Sequence, residues 1–213
     1  MSKIFKHINY SAKVVQKCLR GYHQRAFNKK KKDGMTFKLL NRCIDVYNDT
    51  IIHEKMINTI LKRKKIRLSN FPSHISENIA KFAIYKKYHI LPSWDTQKGD
   101  LCMQLTSTNQ LQLEIKGSID LEKGLSTFGP TEKWDYIYFV DGKDTLFKYY
   151  KVYEIQLSNE NILWKNMQIS QTETYQDQCQ QRRRPRIRFN EIQKQLGSKC
   201  QLIFDNNISH LEV

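Results

Sequence analysis

The sequence predicts an α/β protein: a central mixed β-sheet flanked by helices, with a helical N-terminal region. Two observations support this fold class. Apolar residues recur every three to four positions in residues 2–27 and 35–65, which is the period of an amphipathic helix. Residues 71–157 instead contain one helical stretch followed by four short strand-like runs, which is the pattern of an α/β core.

The length of the chain fits one domain. It has 213 residues, and domains commonly contain ~100–200 residues. We therefore expect residues 1–213 to form a single domain with three parts. These are a basic helical region at 1–70, a core at 71–157 and a polar C-terminal segment at 158–213.

The two predicted N-terminal helices are separated by a charged turn. Residues 29–34 contain four lysines, an aspartate and a glycine, a composition that interrupts a helix. The second helix ends in a basic run at 62–65. One apolar face is expected on each helix, formed by Val14, Val15, Cys18 and Leu19 in the first and by Leu39, Leu40, Cys43, Ile44 and Tyr47 in the second.

The core is expected to begin with a helix and to continue into strands. Ser76 is the expected N-cap of a helix that runs to Tyr88. A hairpin follows, because the polar residues 107–110 separate two strand-like runs. The predicted strands are 100–106, 111–116, 134–140 and 151–157, with a further short strand at 201–204.

Composition restricts the partners and the compartment. The formal charge is +15, and an excess of this size favours a polyanion such as nucleic acid. The five cysteines are widely spaced and lack a Cys-x-x-Cys pair, so they fit a reducing compartment and exclude a disulfide framework or a zinc site. There is no run of 18 apolar residues and no secretory signal. We therefore expect a cytoplasmic protein with no membrane partner.

One predicted strand carries a pattern that suits metal chemistry. Apolar and polar residues alternate along 111–116, so Glu114 and Lys116 share one face of the strand. If 100–106 and 111–116 form a hairpin, Asp100 lies near Glu114. Two carboxylates suit Mg²⁺, which binds through one or two carboxylates and keeps several waters. A lysine beside them can orient or deprotonate a water bound to the metal and can stabilise a developing negative charge.

A structural alternative accounts for the same residues. Charges of opposite sign are common on the solvent face of an antiparallel sheet, where cross-strand pairs stabilise it slightly. Glu114 and Lys116 considered alone fit this alternative. The functional interpretation depends on Asp100 in the preceding run, on Gly117 directly after the lysine and on the basic chain.

The order of these residues resembles a known active-site signature. Gly99-Asp100 followed by Leu113-Glu114-Ile115-Lys116-Gly117 resembles the motif of the PD-(D/E)XK nuclease superfamily, with Gly99 where the name of the motif has proline. Residues 128–141 resemble the segment after that motif in Type II restriction endonucleases, where a polar turn leads into an apolar central strand. Residues 75–82 resemble their first core helix.

The resemblance implies a fold, an activity and residue roles. It implies a restriction-endonuclease-like core in a prokaryotic enzyme that cleaves double-stranded DNA at a specific sequence by Mg²⁺-dependent phosphodiester hydrolysis. Asp100 and Glu114 would bind the metal, and Lys116 would position or activate the attacking water. Glu77 would support the metal site or the lysine. The alternative for Glu77 is a favourable helix start, with negative charge near the positive end of the helix dipole.

An enzyme of this size that cuts both strands of a palindrome is expected to be a two-fold homodimer. The basic blocks of the chain, including Lys62 and Lys64, are expected to contact the DNA phosphates. The C-terminal block differs in chemistry, because arginine reads guanine and glutamine reads adenine in the major groove. Pro185 favours an extended path that places Arg186 and Arg188 on one face. The candidate DNA-binding residues of this segment are Gln178, Gln181, Arg182, Arg183, Arg184, Arg186 and Arg188.

Alternatives remain open at this point. The arginine segment could clamp phosphates without reading bases. The whole protein could be a DNA-repair or junction-resolving nuclease with the same core, or a DNA-binding protein without enzymatic activity. Discrete fragments from a plasmid indicate a restriction enzyme, a preference for branched DNA indicates a resolvase, and tight binding without cleavage indicates a binding protein.

Overall fold

The computed structural model describes residues 35–61, 66–94, 100–122 and 124–212. The predicted helix at 2–27 and the lysines at 29–32 lie outside the described residues. The chain divides into two compact units, residues 1–69 and residues 70–213. No described helix is both long enough and apolar enough to cross a membrane.

The first unit contains helix α1, Phe37–Ile60, which confirms the helix predicted over 35–65 for those positions. Thr36 caps its start by accepting a hydrogen bond from the Leu39 amide. Near its end the buried carboxylate of Glu54 accepts hydrogen bonds from the amide and the hydroxyl of Ser69, at 2.6 and 2.7 Å. The segment after α1 is thereby fastened to the helix.

The second unit is built on a six-stranded mixed sheet, which confirms the predicted fold class. Its order is β1-β2-β3-β5-β6-β8, and only the β3–β5 pair is parallel. The strands are β1 (Ser93–Trp94), β2 (Leu101–Gln104), β3 (Gln110–Ser118), β5 (Tyr136–Asp141), β6 (Tyr149–Ile155) and β8 (Cys200–Asn207). The predicted hairpin is present as β2–β3, with Leu101 opposite Leu113.

A separate two-stranded sheet and four α-helices are the other main elements among the described residues of this unit. Strand β4 (Leu125–Thr127) pairs antiparallel with β7 (Arg186–Arg188). The helices are α2 (Ser73–Tyr88), α3 (Ile162–Lys165), α4 (Tyr175–Gln180) and α5 (Phe189–Leu196).

Helix α2 corrects the predicted N-cap. Ser76 does not cap the helix, which begins three residues earlier at Ser73, after Pro72. The extended backbone of Pro72 provides the entry, and its carbonyl accepts the Ser76 amide hydrogen bond. Burial also extends beyond the predicted apolar stripe, since every residue from His74 to Ile84 is buried.

Gly117 allows α2 to lie directly on β3. A Cβ atom placed on Gly117 would be 2.3 Å from Cβ of Ser76, far inside van der Waals contact. Residues on a strand alternate between faces, so α2 covers the face of β3 opposite to Glu114 and Lys116. Any side chain at position 117 would push the helix away from the sheet.

We expect Gly117→Ala to destabilise the protein by ~1–3 kcal/mol, the usual cost of overpacking a core. Urea denaturation measures the loss. Ser76→Gly removes the side chain that would clash, so the cost of Gly117→Ala should be smaller in that background, and a double-mutant cycle isolates this coupling. An equal loss in both backgrounds would show that the Ser76 contact is not the cause.

The two faces of the sheet have different interiors. On the α2 face, the buried carboxylate of Glu154 accepts hydrogen bonds from Lys87 at 2.6 Å, Tyr88 at 2.7 Å and Tyr138 at 2.7 Å, which ties the end of α2 to β5 and β6. The other face carries an aromatic cluster packed against β5, formed by Phe128, Trp134, Trp164, Tyr175 and Phe189. The charged pair of β3 points towards this aromatic cluster.

Candidate active site

The β2–β3 hairpin brings the two predicted metal ligands together. Asp100 directly precedes Leu101, which lies opposite Leu113, so the antiparallel register places Asp100 opposite Glu114. One Asp100 carboxylate oxygen accepts a hydrogen bond from the Ile115 amide at 2.8 Å. This bond fixes the aspartate against the strand that carries the glutamate. The predicted proximity of Asp100 and Glu114 is confirmed, and their role as ligands stays a prediction.

Lys116 lies on the same face as Glu114, at the edge of the aromatic cluster. Its Nζ is 2.5 Å from Oε1 of Glu114 and 5.3 Å from the ring centroid of Phe128. An ammonium group at this distance from an aromatic ring gains a cation–π attraction. Glu114 is only 8% exposed, so a pair of solvated surface charges does not describe this arrangement.

A third acidic residue, Glu132, belongs to the site and was missed by the sequence analysis. Its Oε2 is 3.8 Å from Nζ of Lys116 and accepts a hydrogen bond from the Gly129 amide at 2.7 Å. Its backbone carbonyl accepts a hydrogen bond from the Asn159 side chain at 2.7 Å. The Gly129-Pro130 pair, which marks a turn, is the signal that could have suggested that the chain folds back here.

The electrostatics of the site are set by burial and by crowding of like charges. Burial raises the pKa of Glu114 to about 7; the Lys116 ammonium opposes this shift, and the negative charges of Asp100 and Glu132 add to it. The ionised form of Glu114 is therefore costly unless a cation is close. Lys116 supplies one positive charge for three carboxyl groups.

The donor set fits Mg²⁺ better than a transition metal. Among the described residues, no group of three or more His, Cys, Asp or Glu side chains could hold a metal ion. Mg²⁺ does not need such a group, because it binds through one or two carboxylates and completes its shell with waters and substrate phosphates. Asp100, directly before β2, and Glu114, on β3, are the two carboxylates that could serve in this way.

Glu77 lies in α2, directly after Ser76, and is buried. Ser76 packs on Gly117, so Glu77 lies near the end of β3 that carries Lys116. Its helix nevertheless covers the opposite face of the sheet. The proposed support of the metal site by Glu77 stays a prediction.

The predicted DNA-binding residues lie in different environments. Gln178 is buried in α4 and donates to Glu173 at 3.0 Å, and Arg183 forms two hydrogen bonds to the same carboxylate at 2.9 and 2.5 Å. Gln181 accepts a hydrogen bond from Arg183 at 3.1 Å. All five arginines of the segment are exposed, namely Arg182, Arg183, Arg184, Arg186 and Arg188, and the predicted sites Lys62 and Lys64 lie outside the described residues.

The path of the chain around Pro185 agrees with the sequence analysis. Arg186 and Arg188 lie in β7 and are exposed, whereas Ile187 between them is buried in the aromatic cluster. The extended segment after Pro185 is thus confirmed. Its pairing with β4 was not predicted.

Comparison with known proteins gives one family. The family model described as "Bsp6I restriction endonuclease" matches residues 37–196, which include the hairpin and β7. A curated relative, the Type II restriction enzyme Bsp6I of Bacillus sp. (strain RFL6), is 26% identical over 136 residues, covering 62% of this chain and 70% of the relative. No solved structure matches the chain significantly. The chain therefore belongs to the Bsp6I restriction endonuclease family, in agreement with its resemblance to Type II restriction endonucleases.

Proposed function

We propose that this Type II restriction endonuclease hydrolyses phosphodiester bonds of double-stranded DNA in a Mg²⁺-dependent reaction at a short specific sequence. The observation that carries the proposal is the hairpin arrangement, in which Asp100 faces Glu114 and Lys116 lies 2.5 Å from Glu114. Mg²⁺ held by the two carboxylates would polarise the scissile phosphate and lower the pKa of a bound water.

Asp100, Glu114 and Lys116 have different proposed roles, which follow from their positions. Asp100 is held by the Ile115 amide, so one ligand is fixed before substrate arrives. Glu114 completes the pair from the neighbouring strand. Lys116 lies two residues after Glu114 on the same face of β3. Its ammonium can hold the attacking water there and stabilise the charge that develops on the phosphate oxygens.

Glu132 is proposed as the residue that positions Lys116. A cation held by Glu114 would leave its carboxylate less available to the lysine. Glu132 then remains as the anionic partner, 3.8 Å from the ammonium and anchored by the Gly129 amide. It would keep Lys116 near the scissile phosphate instead of letting it swing into solvent.

We expect Glu132→Gln to lower kcat by about 10- to 100-fold, the usual effect of removing a residue that orients an active-site group. The KM for DNA should stay within about twofold, because Glu132 lies beside the lysine and not in a DNA-binding strand. Steady-state kinetics at saturating Mg²⁺ separate the two parameters. Glu122→Gln is the matched control. Glu122 is an exposed acid that, like Glu132, lies in the chain between β3 and β5, and its Oε2 is 3.9 Å from Nζ of Lys143.

A second measurement distinguishes positioning from a purely structural role. If Glu132 acts through Lys116, Glu132→Gln should cause no further loss when Lys116 is already alanine. An additive loss in the double variant, or a loss shared by Glu122→Gln, would refute the positioning role.

DNA binding is proposed to use the positive charge of the chain and the exposed arginines Arg182, Arg184, Arg186 and Arg188. Neutralising phosphates releases counterions, so affinity should fall steeply with salt. Gln178 and Arg183 are engaged with Glu173, and a direct contact with DNA would require them to leave that carboxylate. We also propose a two-fold homodimer on DNA, because each chain carries one such site and a duplex has two strands to cut.

One experiment tests the function and its competitors. Linear and supercoiled DNA of known sequence are incubated with Mg²⁺, and the ends of the products are mapped. Discrete fragments that share one sequence at their ends support the proposal. Cleavage confined to branched substrates would favour a junction-resolving nuclease, and binding without cleavage would favour a non-enzymatic protein. Two chains per cognate duplex in analytical ultracentrifugation would support the dimer.

A further inference from the structure

We propose that β4 and β7 form one base-reading element, the β4–β7 ribbon (Leu125–Thr127 with Arg186–Arg188), which enters the major groove of DNA. The specificity-determining residues on its outer face would be Leu125 and Thr127 together with Arg186 and Arg188. The inference rests on the proposed endonuclease function and names the surface that would select the sequence.

The register of the ribbon defines its two faces. Leu125 pairs with Arg188 and Thr127 pairs with Arg186. Residues directly opposite each other in an antiparallel pair point to the same side, as do residues two apart on one strand. Leu125, Thr127, Arg186 and Arg188 therefore form one continuous face.

The other face of the ribbon is fixed to the protein. Ile187, opposite Ser126, is buried in the aromatic cluster. The ribbon thus presents four side chains outward from a rigid base. Leu125 is 56% exposed, so its side chain is accessible to a partner that approaches this face.

Charge favours a nucleic acid as that partner. Within the part of the chain that the structure describes, Arg186 and Arg188 have no ion-pair partner, in contrast to Arg183, which is held by Glu173. The outer face borders an open groove of about 790 Å³. The lining of this groove contains two arginines and one acidic residue, Glu191.

The dimensions and chemistry of the ribbon fit the major groove. That groove is ~12 Å wide and admits a two-stranded β-ribbon, whereas the minor groove is ~6 Å wide. Arginine binds O6 and N7 of guanine together, and apolar groups such as those of leucine and threonine contact the methyl group of thymine. The outer face offers both kinds of contact side by side.

The ribbon is also connected to the candidate active site. The Phe128 amide donates to the Pro185 carbonyl at 3.0 Å, which extends the β4–β7 pairing by one further bond. Phe128 is fully buried, and its ring centroid is 5.3 Å from Nζ of Lys116. A rigid connection of this kind would place the scissile phosphate at a defined distance from the bases that are read.

Modified duplexes test the inference directly. The digest described above first supplies the cognate sequence. Binding is then measured in Ca²⁺ with guanines replaced one at a time by 7-deazaguanine, which removes the major-groove N7 acceptor and keeps base pairing. We expect at least one replacement to weaken wild-type binding about fivefold or more. Arg186→Ala or Arg188→Ala should weaken binding of the unmodified cognate duplex by about 5- to 150-fold. The affinity of that variant should then be the same for the unmodified duplex and for the duplex with the 7-deazaguanine replacement.

The leucine provides a matched comparison. Leu125→Ala should lower discrimination between the cognate duplex and single-mismatch duplexes by about fivefold or more. Leu146→Ala, a change in an exposed leucine of the turn between β5 and β6, should leave discrimination unchanged. Thermal unfolding of all variants confirms that they are folded.

The outcomes separate the inference from the function on which it rests. If the wild type yields no sequence-specific cleavage, the proposed function fails and the ribbon has no sequence to read. If discrete fragments appear but no 7-deazaguanine duplex binds more weakly, the ribbon does not read the major groove. A uniform loss in the arginine variants across all sequences, with a reduced salt dependence, would show that they contact phosphates only and would also overturn the inference.

Discussion

Asp100→Asn is expected to abolish DNA cleavage while leaving the fold and DNA binding intact. Asparagine keeps an oxygen that can accept the Ile115 amide, so the hydrogen bond at 2.8 Å can survive. The negative charge and one acceptor oxygen are lost, and a neutral amide is a poor ligand for Mg²⁺. A bound metal contributes several kcal/mol to catalysis, so we expect a loss of about 10³-fold or more. Glu114→Gln should have the same effect from the neighbouring strand.

The control for this prediction is an aspartate that accepts a hydrogen bond from the same strand, β3. Asp135 accepts a hydrogen bond from the Gln112 amide at 2.8 Å, the same type of bond that Asp100 makes to Ile115. Asp135→Asn should therefore retain most of the cleavage activity. Binding of cognate DNA should persist in Asp100→Asn and Glu114→Gln, because removing a carboxylate reduces repulsion from phosphate. Mn²⁺ binding to the DNA-bound protein should be weakened. Wild-type cleavage by either variant would remove the basis for the proposed metal site.

Lys116→Ala is expected to reduce the cleavage rate by about 10²–10³-fold, the effect of removing one preorganised group that stabilises transition-state charge. Both carboxylates remain, so Mn²⁺ should still bind in the presence of cognate DNA. The affinity for DNA should change little, because the ammonium is already paired with Glu114 at 2.5 Å. Single-turnover kinetics at saturating Mg²⁺ isolate the chemical step from product release.

Lys143→Ala is the matched control for Lys116→Ala. Lys143 is a more exposed lysine that also lies beside an acidic residue, Glu122, at 3.9 Å. Its removal should leave the single-turnover rate unchanged. A rate reduction below tenfold in Lys116→Ala, or an equal reduction in Lys143→Ala, would indicate that Lys116 stabilises the sheet and does not take part in catalysis.

Local patterns in the sequence predicted the part of the site that one hairpin supplies. The alternation in 111–116 predicts which side chains share a face, and the polar turn at 107–110 predicts the pairing with the preceding run. Together they predict that Asp100 lies beside Glu114. The observed register, with Leu101 opposite Leu113, has Asp100 opposite Glu114 as predicted. Such a prediction succeeds because the turn is short and the side-chain period of a strand is two residues.

The start of α2 shows where a local signal was misleading. Ser76 has the chemistry of an N-cap, but Pro72 already provides the extended backbone at which the helix begins. The helix also had to meet the sheet at Gly117, where no Cβ can be accommodated. The sequence showed a glycine after the lysine, and only the packing of α2 showed the reason for it.

By itself, the sequence determined the fold class, the hairpin, the charge of the chain and the grouping of Asp100, Glu114 and Lys116. The tertiary structure alone decided that Glu132 completes the surroundings of Lys116 and that β4 pairs with β7. The physical reason is the separation along the chain. β4 and β7 are two three-residue strands about 60 positions apart, and neither is long enough to carry a periodic signal that identifies its partner. Their pairing depends on the aromatic cluster that buries Ile187 and Phe128, which exists only when the whole second unit has folded.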